Sequence, residues 1–174
     1  MTHAYLNEIG TAVPANESQQ EFLATLDTWL PDPAVVNKLR LIAKRSGIER
    51  RHTVLTNVIG TPGSGAFYEI GNFPGTAARM KVYQQEAPKL AVQAARALEA
   101  RGVNLATVTH LVITSCTGFY APGLDVDLIR LLDLPRNIRR TIVGFMGCYA
   151  GITGLRTASD IVRADPEARV LIIN

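Results

Sequence analysis

Three short runs rich in β-branched residues do most to limit what this chain can fold into: His110-Leu-Val-Ile-Thr-Ser-Cys116, Thr141-Ile-Val-Gly-Phe-Met-Gly147 and Arg169-Val-Leu-Ile-Ile173. Each has the length and composition of a buried strand. Between them lie two stretches of helical periodicity, Leu124 to Asp133 and Cys148 to Ala164. In the second, Ile152, Leu155, Ala158 and Ile161/Val162 share one face, and Arg156, Asp160 and Arg163 another. Strands separated by helices of this length predict an α/β fold with a parallel sheet and right-handed crossovers.

Upstream the signals are less regular. Thr76 is placed to cap a long helical segment that Pro88 kinks or breaks and Gly102 ends, with an alanine-rich second part from Ala91 to Ala100. Residues 60 to 75 have the glycine and proline content of a loop. No phosphate cradle is present there, because Gly63-Ser-Gly65 lacks a third glycine and no Gly-Lys-Ser/Thr follows.

With 174 residues, 47% of them hydrophobic and 19% charged, the chain has material for one sizeable core. A net charge of +3 is far from the dense basic surface of a nucleic-acid binder and suits a small anionic ligand. The N-terminus shows no basic stretch leading into an apolar one, and no apolar run approaches the roughly 18 residues of a membrane span. These features place the protein in the cytoplasm. Cys116 and Cys148 stand 32 positions apart without a C-x-x-C or a nearby histidine pair, so neither a metal site nor a disulfide framework is expected. The sequence stops on Asn174, at the end of an apolar run, which reads as a chain whose remainder follows.

Cys148 is the residue with the most chemical promise. Val143-Gly-Phe-Met-Gly-Cys148-Tyr-Ala-Gly151 passes from a strand directly into a helix, so the thiol should sit on the turn at the helix N-terminus. The unpaired N–H groups and positive dipole end found there favour a thiolate. Gly144, Gly147, Ala150, Gly151 and Gly154 keep bulk away from that turn. From position alone, a small core hydrophobe is the commoner fate of a lone cysteine.

A longer comparison of motifs decides between the two. Gly147-Cys148-Tyr149-Ala150-Gly151 resembles the Gly-Cys-Phe-Ala-Gly motif around the acyl-accepting cysteine of type III polyketide synthases, the chalcone and stilbene synthase group. Thr117-Gly118, Pro122-Gly123 and Leu131-Leu132 followed by Leu134 resemble the segments that precede that cysteine, at the same spacing. Ser46-Gly-Ile-Glu-Arg-Arg51 and Ala168-Arg169-Val170-Leu171 resemble two further family segments, so the likeness is ordered over about residues 35 to 174.

The resemblance implies a thiolase-like fold of two related α/β halves, each with a mixed, mainly parallel five-stranded sheet and the nucleophile helix buried between them. Residues 1–174 would be the N-terminal half. It implies an acyltransferase in which Cys148 takes an acyl group from acyl-CoA and condenses it with malonyl-CoA, with no cofactor beyond the coenzyme A thioesters. It further implies a homodimer, with no nucleic acid and no membrane span. The family's catalytic His and Asn lie in the second half. His3, His52 and His110 match neither and read as surface or strand-edge residues.

Four further residues carry substrate-binding expectations by matching family positions. Cys116 stands where the family lines its cavity, against a plain reading as strand-end packing. Ala121 replaces a methionine that plant members send across the dimer interface, leaving the starter group open. Lys38 and Arg45 match two positions that bind coenzyme A phosphates, while Leu41 falls where a third cation would be. They belong to a run of six cations, Lys38, Arg40, Lys44, Arg45, Arg50 and Arg51, whose default is a solvated helix face. Ketoacyl-carrier-protein synthase III and hydroxymethylglutaryl-CoA synthase share the fold and the cysteine, and a non-catalytic partner subunit of the same fold is the alternative outside enzymology.

Overall fold

Residues 3–174 are described by the computed structural model, and they divide into two compact units, Val13–Arg79 and the segment up to Ala12 taken with Met80–Asn174.

The first unit is mainly helical. Its elements are β1 (Asn16–Glu17), α1 (Gln19–Trp29), α2 (Pro33–Arg45), β2 (His52–Thr53), β3 (Ile59–Gly60) and β4 (Tyr68–Glu69). α2 starts where the sequence supplies a start signal: the Asp32 side chain accepts the Ala34 N–H at 2.8 Å, and Pro33 takes a first-turn position where its missing N–H costs nothing. β1 pairs antiparallel with β2, and β3 parallel with β4. Between β3 and β4 the Glu69 carboxylate accepts the Gly63 and Gly65 N–H groups at 3.3 and 2.8 Å, which shapes the stretch expected to be pure loop. Two-residue strands have no periodicity to read. His52 is half-buried in β2, its Nδ1 2.9 Å from the Pro14 carbonyl oxygen.

α3 (Thr76–Glu99) runs on into the second unit without a break at Pro88. A mid-helix proline costs about 3 kcal/mol. Here Pro88 is itself buried on the face that buries Ala91 and Ala95, and that packing outweighs the lost hydrogen bond. Gly102, at φ +88°, ends the run as expected.

Beyond α3 come β5 (His110–Ser115), α4 (Leu124–Leu131), β6 (Arg139–Gly144), α5 (Ala150–Ala164) and β7 (Val170–Ile173). The strands form a parallel sheet in the order β6-β5-β7, with Val112 opposite Thr141 on one side and Ile172 on the other. β5 is central and fully buried from His110 to Ile113. Leu111, Leu128, Leu105 and Ala95 form the centre of the core, joined by Leu132, Leu134 and Leu171.

The expected five-stranded sheet is corrected to three strands among the described residues, with two separate strand pairs in the first unit. Around Glu8 to Gly10 the chain lies against α3 and the turn that follows it. Arg101 donates to Glu8 at 2.7 Å and to the Ile9 carbonyl at 2.6 Å, and a Cβ on Gly10 would collide with the Ala94 carbonyl. α5 packs on the sheet along one face. Ala150, Gly154 and Ala158 face the sheet, whereas Ile152 and Leu155 are exposed. No helix among the described residues is long and apolar enough to cross a membrane.

Candidate active site

In a parallel sheet the loops following the strands gather at one end, and here those of β5 and β6 bring both cysteines to that end. Strand β6 stops at Gly144, and the chain reverses through Phe145 at φ +58° and Gly147 at φ +61°. A single turn of 3-10 helix, Gly147–Tyr149, then leads into α5. Cys148 lies in that turn, with an exposed, unpaired thiol. The strand-to-helix transition expected from the sequence is therefore present, with β6 running from Arg139 to Gly144 where the apolar run indicated Thr141 to Gly147. The small residues have identifiable reasons. A Cβ on Gly154 would lie 2.8 Å from Thr114 Cγ2, so the glycine lets α5 settle on β5, and Gly147 supplies a left-handed turn with no neighbour within 4 Å.

The loop after β5 carries Cys116, which is half-buried, and Ala121, which is exposed beside a cis bond to Pro122. Several contacts tie it down. Tyr83 donates from its hydroxyl to Ser115 Oγ at 3.2 Å, Ser115 donates to the Gly118 carbonyl at 2.9 Å, and the Phe119 N–H points at Met80 Sδ at 3.4 Å. Tyr120 donates to the Asp127 carboxylate at 2.5 Å. Burial, then this hydrogen bond, push the Tyr120 phenol well above its ordinary pKa and keep it protonated. Asp125, 4% exposed, pairs through one oxygen with Arg140 on β6 at 2.7 Å, and its other oxygen has no partner.

The loops of the two cysteines meet through aromatic rings. Phe119 stacks on Phe145 with centroids 4.4 Å apart and planes at 24°, and a Cβ on Gly144 would lie 2.8 Å from the Phe119 ring. Sequence reading assigned no role to Phe119 or Phe145; the signal available was an aromatic between two glycines in the motif. No histidine of this unit serves the thiol. His110 starts β5, about 16 Å of extended chain from Ser115. It is buried, correcting its reading as an edge residue. Burial and then the Arg139 guanidinium hold its pKa below the usual imidazole range, against a smaller opposing effect of Asp165. His3 is exposed. No group of three metal-ligating side chains occurs among the described residues.

Lys38 and Arg45 belong to the first unit, where both are exposed on α2. Of their neighbours, Arg40 pairs with Asp27, Arg50 reaches Glu17 at 3.6 Å, and Arg51 donates to the Gln19 side chain.

The geometry defines an α/β unit that presents one thiol on a strand-to-helix turn, and comparison with known proteins gives the class. The family model described as chalcone and stilbene synthases, N-terminal domain, matches residues 1–174, so the chain belongs to that family. It is similar to bisdemethoxycurcumin synthase of Oryza sativa subsp. japonica, with 34% identity over 172 residues, covering 95% of this chain and 42% of that protein. It also resembles two solved structures. One is the C-terminal type III polyketide synthase domain of Steely1 from Dictyostelium, with 28% identity, a TM-score of 0.77, and coverage of 98% of this chain and 47% of that one. The other is PKS-I of the brown alga Ectocarpus siliculosus, with 29% identity, a TM-score of 0.76, and coverage of 95% and 46%. The chain thus spans about half the length of these relatives.

Proposed function

We propose that the polypeptide containing this chain is a type III polyketide synthase that carries its acyl intermediate on Cys148. The observation that carries the reading is the exposed thiol on the turn between β6 and α5, within a family-matched chain. The Cys148 thiolate attacks the carbonyl of an acyl-CoA, an acyl–sulfur bond forms, and coenzyme A leaves as its thiolate. Malonyl-CoA then loses carbon dioxide. The resulting enolate carbon attacks the Cys148 thioester, a carbon–carbon bond forms, and the cysteine is released as thiolate. Developing negative charge on the enolate and tetrahedral oxygens needs aimed donors, which the family resemblance assigns to a His and an Asn of the second half. In this reading Lys38 and Arg45 contact coenzyme A phosphates, Cys116 and Ala121 line the acyl cavity, and the enzyme is a homodimer with Tyr120-Ala121-Pro122 near its two-fold contact.

The test is intact mass spectrometry of the complete polypeptide with acyl-CoAs, beside product analysis with malonyl-CoA. An acyl adduct lost in Cys148→Ala, with release of carbon dioxide and a pyrone or resorcinol-type product, is expected. Extension only from a malonylated carrier protein would move the assignment to the ketoacyl synthases, and an acetoacetyl-CoA adduct without decarboxylation to the hydroxymethylglutaryl group. No adduct from any thioester would leave a non-catalytic partner subunit.

A further inference from the structure

The turn that carries Cys148 contains a residue in a conformation it does not favour. Phe145 sits at φ +58°, a backbone region that a bulky side chain keeps only where its surroundings over-determine it. Its own burial does not hold it there, because it is 83% exposed. What touches it is the Phe119 ring, stacked at 4.4 Å between centroids with planes at 24°. Gly144, the last residue of β6, makes room for that ring, since a Cβ there would lie 2.8 Å from two of its carbons. Gly147, at φ +61° on the far side of the turn, needs no such support because glycine adopts positive φ freely.

Phe119 is itself anchored from α3. Its N–H points at Met80 Sδ at 3.4 Å, and the backbone of Gly118 lies so close to the Tyr83 ring that a Cβ there would collide with it. Ser115 Oγ accepts the Tyr83 hydroxyl at 3.2 Å and donates to the Gly118 carbonyl at 2.9 Å, which closes the loop on the end of β5. A line of contacts therefore runs from α3 through a fixed loop to the Phe119 ring, and from that ring to Phe145, three residues before the thiol. Apolar burial alone does not account for the aromatic pair, because Phe145 stays exposed while stacked.

We infer that Phe119 is a positioning residue for Cys148: its ring fixes Phe145 in the left-handed conformation and thereby sets where the turn presents the thiol. The geometry stands alone, and its consequence for acyl transfer rests on the reading of Cys148 as acyl carrier. Phe119→Leu keeps apolar bulk and removes the flat face of the ring, and Phe119→Ala removes both. The complete polypeptide is loaded with hexanoyl-CoA or benzoyl-CoA, whichever loads the unaltered protein faster, and single-turnover transfer to Cys148 is followed by intact mass spectrometry. At saturating acyl-CoA both variants should load about tenfold more slowly, with the half-saturating concentration unchanged, because the thiol is misplaced and the binding of the thioester is not. In the Phe145→Gly background the same two substitutions should cost less than about twofold, because glycine adopts positive φ without a partner ring. Circular dichroism shows that each variant keeps its fold, and crystal structures of the complete polypeptide and of Phe119→Leu read the φ of Phe145 directly. An unchanged loading rate, an equal loss in both backgrounds, or a Phe145 that stays left-handed in Phe119→Leu overturns the inference. If the unaltered polypeptide takes an acyl group from no thioester, the condensing reading fails, and the conformation of Phe145 in the two structures still decides whether Phe119 holds the turn.

Discussion

The two ends of the β6-β5-β7 sheet are built on opposite principles. At the start of the strands the polar groups are closed on one another: Thr109 Oγ1 is 2.8 Å from His110 Nδ1 and accepts the Arg169 N–H at 2.9 Å, while Arg139 Nη1 lies 3.5 Å from His110 Nε2. A consistent assignment has the imidazole donating from Nδ1 to Thr109 and accepting from Arg139 at Nε2, which requires neutral His110. At the far end the chain keeps an aromatic residue, Phe145, in the left-handed region and 83% exposed, and an exposed thiol. One end spends its polar groups on stability. The other leaves strain and reactive groups standing, as a site for chemistry does.

The contrast can be broken most forcefully where the reactive end leans on the sheet. Gly154→Val should destabilise by about 3 kcal/mol, because the new side chain meets Thr114 Cγ2 and Ile172 Cγ2 and drives α5 off β5. Chemical denaturation measures it; a loss under about 1 kcal/mol would mean that α5 is not seated as described. At the closed end, His110→Ala should cost about 2 kcal/mol by removing buried packing and leaving the Thr109 and Arg139 groups without their partner.

The same histidine supplies a pH signature. Its folded pKa is depressed below 6.5, so the unfolded chain binds the proton first as pH falls. The stability that neutral His110 provides is present above about pH 6.5 and is lost from there down towards its folded pKa. Unfolding midpoints of the protein and of His110→Gln from pH 8 to pH 5 should converge at the acid end; parallel curves would show that His110 is already free to charge.

The smallest effect sharpens the comparison at the turn itself. Gly147→Ala adds a methyl that touches nothing within 4 Å, so its cost is purely that of φ +61°, about 1 kcal/mol. Iodoacetamide should still modify Cys148 before Cys116, because the first thiol is exposed and the second half-buried. Faster labelling of Cys116 would overturn the assignment of the nucleophile.

The parallel β5-β6-β7 arrangement and α5 were legible because continuous apolar runs and a 3.6-residue period record burial directly. Boundaries moved where conformation, not hydrophobicity, ended an element. β6 begins at Arg139 because an edge strand tolerates arginines, and it stops at Gly144 because Phe145 turns left-handed, which no apolar pattern encodes. Pro88 does not break α3, because it is buried with Ala91 and Ala95 and that packing offsets a local penalty. The stacking of Phe119 on Phe145 and the pairing of Tyr120 with Asp127 join residues from separate loops or from a loop and α4, and one-dimensional spacing contains neither.

Among the described residues the sheet is three strands wide, and its two outer strands differ in charge. β6 opens with Arg139 and Arg140; the second is paired with Asp125, so Arg139 is the charge that discourages a second copy approaching along the same line. The β7 rim is Val170-Leu-Ile-Ile173, without a charge in the strand. Produced as an isolated segment, this stretch of chain would show its stickiness at that rim, as turbidity or amyloid-dye binding that rises with concentration, and Ile172→Lys would suppress it.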